Sequence, residues 1–208
     1  MKKIIAIITL FFAIAAGATA QISASDAAKY RAMIPQLKQK ASAGDKEAME
    51  TIVDLFMCEL SGYMTGDAAA KSVAVSKSIP ESKIVEYAQI CVEESKSCQS
   101  FLEMWPTLKI MVQQAKTLIA KYGLKAYNSI SKAKVYGGMP AGIITEYKTV
   151  EQDGSRYQYY NYVGTFRDKI GSYKKYVPTD MLALANSLGS VCPRVIKARN
   201  GKVTNIIW

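Results

Sequence analysis

The repeat distance of apolar side chains changes near residue 123, and one layer of regular structure cannot satisfy both halves. Upstream, Met49, Ile52, Val53, Phe56, Leu60, Tyr63 and Met64 recur at helical spacing, as do Leu108, Met111, Val112, Ala115, Leu118, Ile119 and Tyr122. Downstream, shorter runs rich in tyrosine and β-branched residues flank Asp153-Gly154 and Asn200-Gly201, two strong hairpin turns. The pattern predicts an α+β fold, with an N-terminal helical bundle followed by a C-terminal antiparallel β-sheet carrying one short helix. The boundary divides the chain into a helical region (21–123) and a β-rich basic region (124–208), which can also form one compact domain.

Residues 1–20 read as a separate segment. Met1-Lys2-Lys3 is basic, residues 4–17 form an apolar run, and Ala18-Thr19-Ala20 is a small-residue cleavage site. This is the pattern of a secretory signal peptide cut after Ala20, and its apolar run falls short of the roughly 20 residues a spanning helix needs. No cysteine follows the cut, so no lipid anchor is expected. No later stretch reaches membrane length, so no transmembrane segment is expected in the mature chain. Export to the periplasm or cell exterior is therefore the expected localisation. Half of the residues are apolar, which suits a folded chain rather than a disordered one.

The helix boundaries follow from caps and breakers. Ser25 or Asp26 starts the first helix, with Pro35 inside it as a kink or division. Ala43-Gly44-Asp45 is a turn whose Asp45 caps the second helix. Pro80 opens a third helix bearing Ile84, Tyr87, Ala88 and Cys91 on its buried side. Pro106 opens a fourth after a break at Trp105, and Gly123 ends it. The short helix of the second half is placed at Met181-Leu182-Ala183-Leu184-Ala185.

Ala43-Gly44-Asp45-Lys46-Glu47-Ala48-Met49, followed by Leu55 and Phe56, resembles one unit of a Sel1-like helical repeat, a relative of the tetratricopeptide repeat. The resemblance covers about residues 39–66 in a single copy. It implies a helix pair of the kind that builds binding scaffolds.

In the second half, a two-residue loop at Asp153-Gly154 pairs Glu151 with Arg156, Val150 with Tyr157, Tyr147 with Tyr160 and Thr145 with Tyr162. At Asn200-Gly201 it pairs Arg199 with Lys202, and it puts Ile196, Ala198, Val203 and Ile207 on one face, expected to be buried. The glycine-rich segment from Tyr136 to Gly142 lacks the Lys-Ser/Thr ending of a phosphate loop and reads as a mobile connector.

Charge follows the same division. Residues 21–123 carry 12 basic and 12 acidic side chains, whereas residues 124–208 carry 13 basic and 5 acidic, a net +8. Eight of the 13 tyrosines fall between Tyr136 and Tyr176, interleaved with cations. Tyr147, Tyr160, Tyr162, Arg156, Arg167, Lys174 and Lys175 are the candidate binding residues, since aromatic platforms take sugar rings or partner side chains and cations take anionic groups. Half-buried strand tyrosines with wet hydroxyls explain the same run structurally.

The chain has no histidine. That excludes Ser-His-Asp and Cys-His nucleophile activation and histidine-ligated zinc, iron or copper. Cys58, Cys91, Cys98 and Cys192 lack any CxxC pair, so disulfides are preferred to a metal site. On one straight helix Cys91 and Cys98 stand about 10 Å apart in rise, beyond the roughly 7 Å a disulfide tolerates. Pairing them requires a bend at Glu94-Ser95-Lys96-Ser97. The carboxylate pairs Glu93/Glu94, Glu146/Glu151 and Asp153/Asp168 are not placed to converge as acid–base hydrolysis requires. Ser129-Ile130-Ser131-Lys132 resembles the SxxK element of serine acyl-transferases, but the SDN and KTG partners are missing.

The expectation is thus an exported, non-enzymatic binding protein with no cofactor and no metal. Its Tyr/Lys/Arg-rich sheet would meet an anionic envelope component, a glycan or another exported protein, and no nucleic acid is expected. An interaction or immunity-type protein acting through its helical half is the alternative, and a histidine-free envelope hydrolase the second.

Overall fold

A computed structural model describes residues 22–151, 153–180, 182 and 192–208. The leader and most of the short helix expected at 181–185 lie outside these residues. The chain forms two compact units, Met1–Val112 and Gln113–Trp208, so helices precede strands as the change in periodicity implies.

In the first unit, α1 (Ala24–Ser42) starts on Ser23, whose hydroxyl accepts the Asp26 N–H at 3.0 Å. The helix continues through Pro35, which is exposed. Asp45 caps α2 (Lys46–Thr65) by accepting the Ala48 N–H at 3.1 Å, as its residue type implied. Gly66 ends α2 in the left-handed region at φ 81°, where glycine carries no Cβ penalty. Asp67 then accepts two N–H groups to start the one-turn α3 (Ala68–Ser72). A 3-10 turn (Val75–Lys77) leads to α4 (Glu81–Cys91), with Pro80 immediately before it.

The apolar stripe of α2 packs on α1, α3 and α4. Ile34, Ile52, Val53, Phe56, Ile79, Ile84, Tyr87 and Phe101 are buried in one cluster. Phe56, Phe101 and Trp105 form an aromatic triad with ring centroids 5.2–6.1 Å apart. Glu59 is the buried carboxylate of this unit, and it accepts the Ser76 N–H at 2.9 Å and the Ser76 hydroxyl at 2.5 Å. These two bonds satisfy the carboxylate and fix the 3-10 turn.

The expected helix break at Trp105 does not occur. α5 runs from Lys96 to Tyr122 with Pro106 inside it. A proline there removes one helical bond, but Trp105 is held by Phe56 and Phe101, and the residues before Pro106 stay helical. The division between the two units falls within α5.

The second unit continues with α6 (Leu124–Ile130) and the one-turn α7 (Ile143–Glu146), then β1 (Thr149–Val150) and β2 (Arg156–Tyr157). The main sheet is the antiparallel meander β3 (Tyr160–Asp168), β4 (Gly171–Pro178), β5 (Val195–Arg199) and β6 (Lys202–Ile207). Tyr160, Tyr176, Ile196, Ala198 and Val203 are its buried residues.

The Asp153-Gly154 turn forms, but its hairpin is short and slipped by one residue. Thr149 pairs with Tyr157 and Val150 with Arg156, so the expected pairs Tyr147/Tyr160 and Thr145/Tyr162 do not exist. Ile143 and Ile144 are fully buried in a helical turn, which removes the upstream residues from the ladder. Tyr160 pairs instead with Pro178 and Tyr162 with Tyr176, across a hairpin turning at Lys169-Ile170 that was not foreseen. At Asn200-Gly201 the expected register holds for Arg199/Lys202 and Ala198/Val203. A bulge at Thr204 then shifts it, so Ile196 faces Ile206 instead of Asn205, and Ile207, expected on the buried face, pairs with Val195 and is exposed.

The glycine-rich segment is tied to β6 rather than loose. Gly138 N–H donates to Val203 O at 2.7 Å, Val203 N–H to Met139 O at 2.8 Å and Ala141 N–H to Gly201 O at 2.8 Å.

Candidate functional site

Because cross-strand partners share a face, the register sorts the second unit's cations and rings into two groups. Tyr160, Tyr176, Ile196, Ala198 and Val203 hold the core side. Phe166, Tyr173, Lys175, Lys197, Arg199 and Lys202 lie on the other side.

On that outer side the rings of Phe166 and Tyr173 stack at 5.9 Å with 28° between their planes. Lys197 Nζ lies 4.5 Å and the Arg199 Cζ 5.1 Å from the Tyr173 centroid, while Lys175 Nζ lies 5.7 Å from that of Phe166. Each ring face attracts a cation and gives its apolar stem a surface to lie on. Arg199 is held further. It donates to Gly171 O at 2.6 Å, Ser172 O at 3.2 Å and Asp168 Oδ2 at 2.5 Å. The Ile170 N–H, followed by the Arg199 guanidinium, holds the Asp168 carboxyl below its usual range. Arg199 is thereby committed to the β3–β4 turn, and Lys175, Lys197 and Lys202 supply the remaining positive charge of this face.

The residues expected from sequence to form the binding site are dispersed. Tyr147 and Tyr160 are core residues. Tyr147 stacks on Tyr159 at 5.5 Å and meets Tyr127 edge-on at 6.0 Å, while the Tyr160 hydroxyl donates to Ala133 O at 2.8 Å. Burial raises the Tyr127 phenol to about 12 and pushes the phenols of Tyr147, Tyr159 and Tyr160 above their usual value. Tyr162 and Lys174 fall on the core side of the sheet, beyond the end of the core. There Tyr162 is 48% exposed, its hydroxyl shares a 2.7 Å hydrogen bond with Thr165, and Lys174 lies 5.8 Å over its ring. Arg167, paired with Ser172, is exposed on that same side. Arg156 is exposed on the separate β1–β2 hairpin. Of the seven, only Lys175 reaches the stacked rings. Phe166, Tyr173, Lys197, Arg199 and Lys202 were missed, and the signal for them was the alternation on both sides of Asp168-Lys169-Ile170-Gly171.

The carboxylates considered for hydrolysis have other partners. Glu94 bonds Lys46, and Glu146 accepts Lys121 at 2.7 Å and the Tyr122 hydroxyl at 2.6 Å. Asp153 accepts the Ser155 N–H at 2.9 Å within its turn. The Ser129 hydroxyl donates to Lys134 O at 3.0 Å. Among the described residues no three cysteine or acidic side chains gather into a set that could hold a metal ion, and no helix is long and apolar enough to cross a membrane.

The four cysteines stand as thiols. Cys58 is half-buried on α2, while Cys91 and Cys98 are buried together in the core of the first unit. Cys192 is buried in the second unit, where its thiol donates to Leu182 O at 3.9 Å.

No family model, curated protein or solved structure matches the chain.

Proposed function

We propose that the chain is an exported, non-catalytic binding protein, and that the outer side of its sheet takes an acidic glycan. The observation that carries this reading is the Phe166–Tyr173 ring pair bordered by Lys175, Lys197 and Arg199. Stacked on each other, the two rings leave their outer faces and edges as apolar surface for a sugar. The lysines beside them are already laid along the rings, so less side-chain freedom is lost when they meet an anion. A sugar stacking on Tyr173 displaces the Lys197 ammonium outward, towards the carboxylate or sulfate of the same residue. The leader pattern supports export, and export supports an envelope or extracellular polymer over nucleic acid as the polyanion.

The test is binding of the purified chain to an acidic polysaccharide and to a neutral one of equal length, at low and high salt. Acidic polymer alone should be retained, with affinity falling as salt rises. The double variant Tyr173→Ala/Lys197→Gln should lose at least ten-fold in affinity, while Arg156→Gln on the separate hairpin should stay close to the parent. Equal binding of the neutral polymer, or an unchanged double variant, overturns the proposal.

A further inference from the structure

Cys91 is the last residue of α4 and Cys98 lies in the first turn of α5, so only a tight turn separates them. Within it, Cys91 O accepts both the Glu94 N–H at 3.1 Å and the Ser95 N–H at 2.9 Å. The hydroxyl of Ser95 then accepts the Cys98 N–H at 3.1 Å and starts α5. This turn is the bend that a straight helix would deny, and it brings the two side chains together. The two thiols lie near enough to act on each other's ionisation, and both belong to the core cluster that contains Ala48, Met49 and Ala88. Cys91 Sγ also points to Lys46 O, at 3.6 Å. Cys58 has a different setting on α2, near Asp67 and Glu59.

We propose that Cys91 and Cys98 form a disulfide with each other, closed by exchange with a small-molecule disulfide such as oxidised glutathione, and that Cys58 and Cys192 stay outside the bridge. One cysteine thiolate attacks a sulfur of the donor, breaks its S–S bond and releases one donor thiol. The other thiolate attacks the protein sulfur of this mixed disulfide and releases the second donor thiol. One S–S bond breaks and one forms, and two electrons with the two cysteine protons leave on the donor. Burial raises both thiols above their usual range, which disfavours the attacking thiolate in the closed core. The bridge therefore closes during folding, before the core covers it, and afterwards locks the end of α4 to the start of α5. Nothing in this step depends on what the sheet binds.

Trypsin supplies a direct test, because Lys96 lies between the two cysteines. The full chain is reduced, unfolded, refolded in a mixture of reduced and oxidised glutathione, alkylated and digested without reduction. Peptides 84–96 and 97–109 should appear joined, about two mass units lighter than their sum, with Cys58 and Cys192 alkylated. Recovery of both peptides separately alkylated, or of either joined to the Cys58 or Cys192 peptide, overturns the proposal. In a second measurement, refolding with oxidised glutathione should raise the thermal midpoint of the parent and of Cys58→Ser by several degrees and leave Cys91→Ser unmoved. An equal rise in Cys91→Ser counts against the pair.

Discussion

Replacing Gly62 by alanine should destabilise the protein, against the ordinary preference of helices. Gly62 lies inside α2, where exchanging glycine for alanine normally gains about 0.8–1 kcal/mol in helix propensity. Here an added Cβ would stand 2.6 Å from the Lys71 backbone nitrogen and 2.8 Å from the Ala70 Cβ. Carbon contacts are comfortable at about 3.5–4.0 Å, so the shortfall is about 1 Å. It cannot be relieved by rotating a flexible side chain, because one obstacle is backbone and the other is a β-carbon. α3 is also held in place by the two N–H groups that Asp67 accepts. Overpacking of this kind costs about 1–3 kcal/mol, which exceeds the propensity gain and leaves a net loss of about 1 kcal/mol. Urea and thermal unfolding of the purified chain measure it, and a loss of that size lowers the midpoint by about 2–4 °C. Gly137→Ala is the control, since that site has open space around it and should change stability by less than about 0.5 kcal/mol. A more stable Gly62→Ala would refute the close approach of α2 and α3.

Two further substitutions or titrations probe the cores. Phe101→Ala removes a fully buried ring from the triad with Phe56 and Trp105, and should cost about 3–5 kcal/mol in urea unfolding. Phe166→Ala on the outer side of the sheet should cost under about 1 kcal/mol, and equal losses would contradict the burial pattern. Tyr127 is raised to about 12 by burial, so its folded state favours the protonated phenol. Its stabilising contribution is complete below the unfolded value of about 10 and is lost as pH rises towards 12. Titration of tyrosine absorbance should therefore show a late-ionising class that Tyr127→Phe diminishes, and uniform titration near 10 would contradict it.

The helical half was legible because its signals are local. Asp45 caps, and the stripe from Met49 to Met64 needs no knowledge of its partners. Pro106 misled because a breaker is judged by its own helix, whereas here Trp105 also packs on Phe56, a ring distant in sequence. The sheet was harder for a related reason. Asp153-Gly154 is a true turn, yet burial of Ile143 and Ile144 withdraws the strand it seemed to demand. Tyr160 and Tyr162 are two residues apart and share one face, but one is fully buried and the other 48% exposed. Periodicity gives the face; it does not say where the core beneath it ends. Bulges at Val163 and Thr204 then shift the register in ways no alternation records.

The strap from Gly138 to Ala141 has a consequence for self-association. By occupying the amide and carbonyl of Val203 and the carbonyl of Gly201, it denies an incoming strand a template at the start of β6. Among the described residues the opposite margin, β3, pairs with no further strand, and its bulge interrupts the even spacing that strand-by-strand stacking requires. A chain with this many exposed aromatic residues would otherwise be a candidate for fibre growth. One partly covered flank and one uneven flank disfavour strand-by-strand growth at the borders of this sheet.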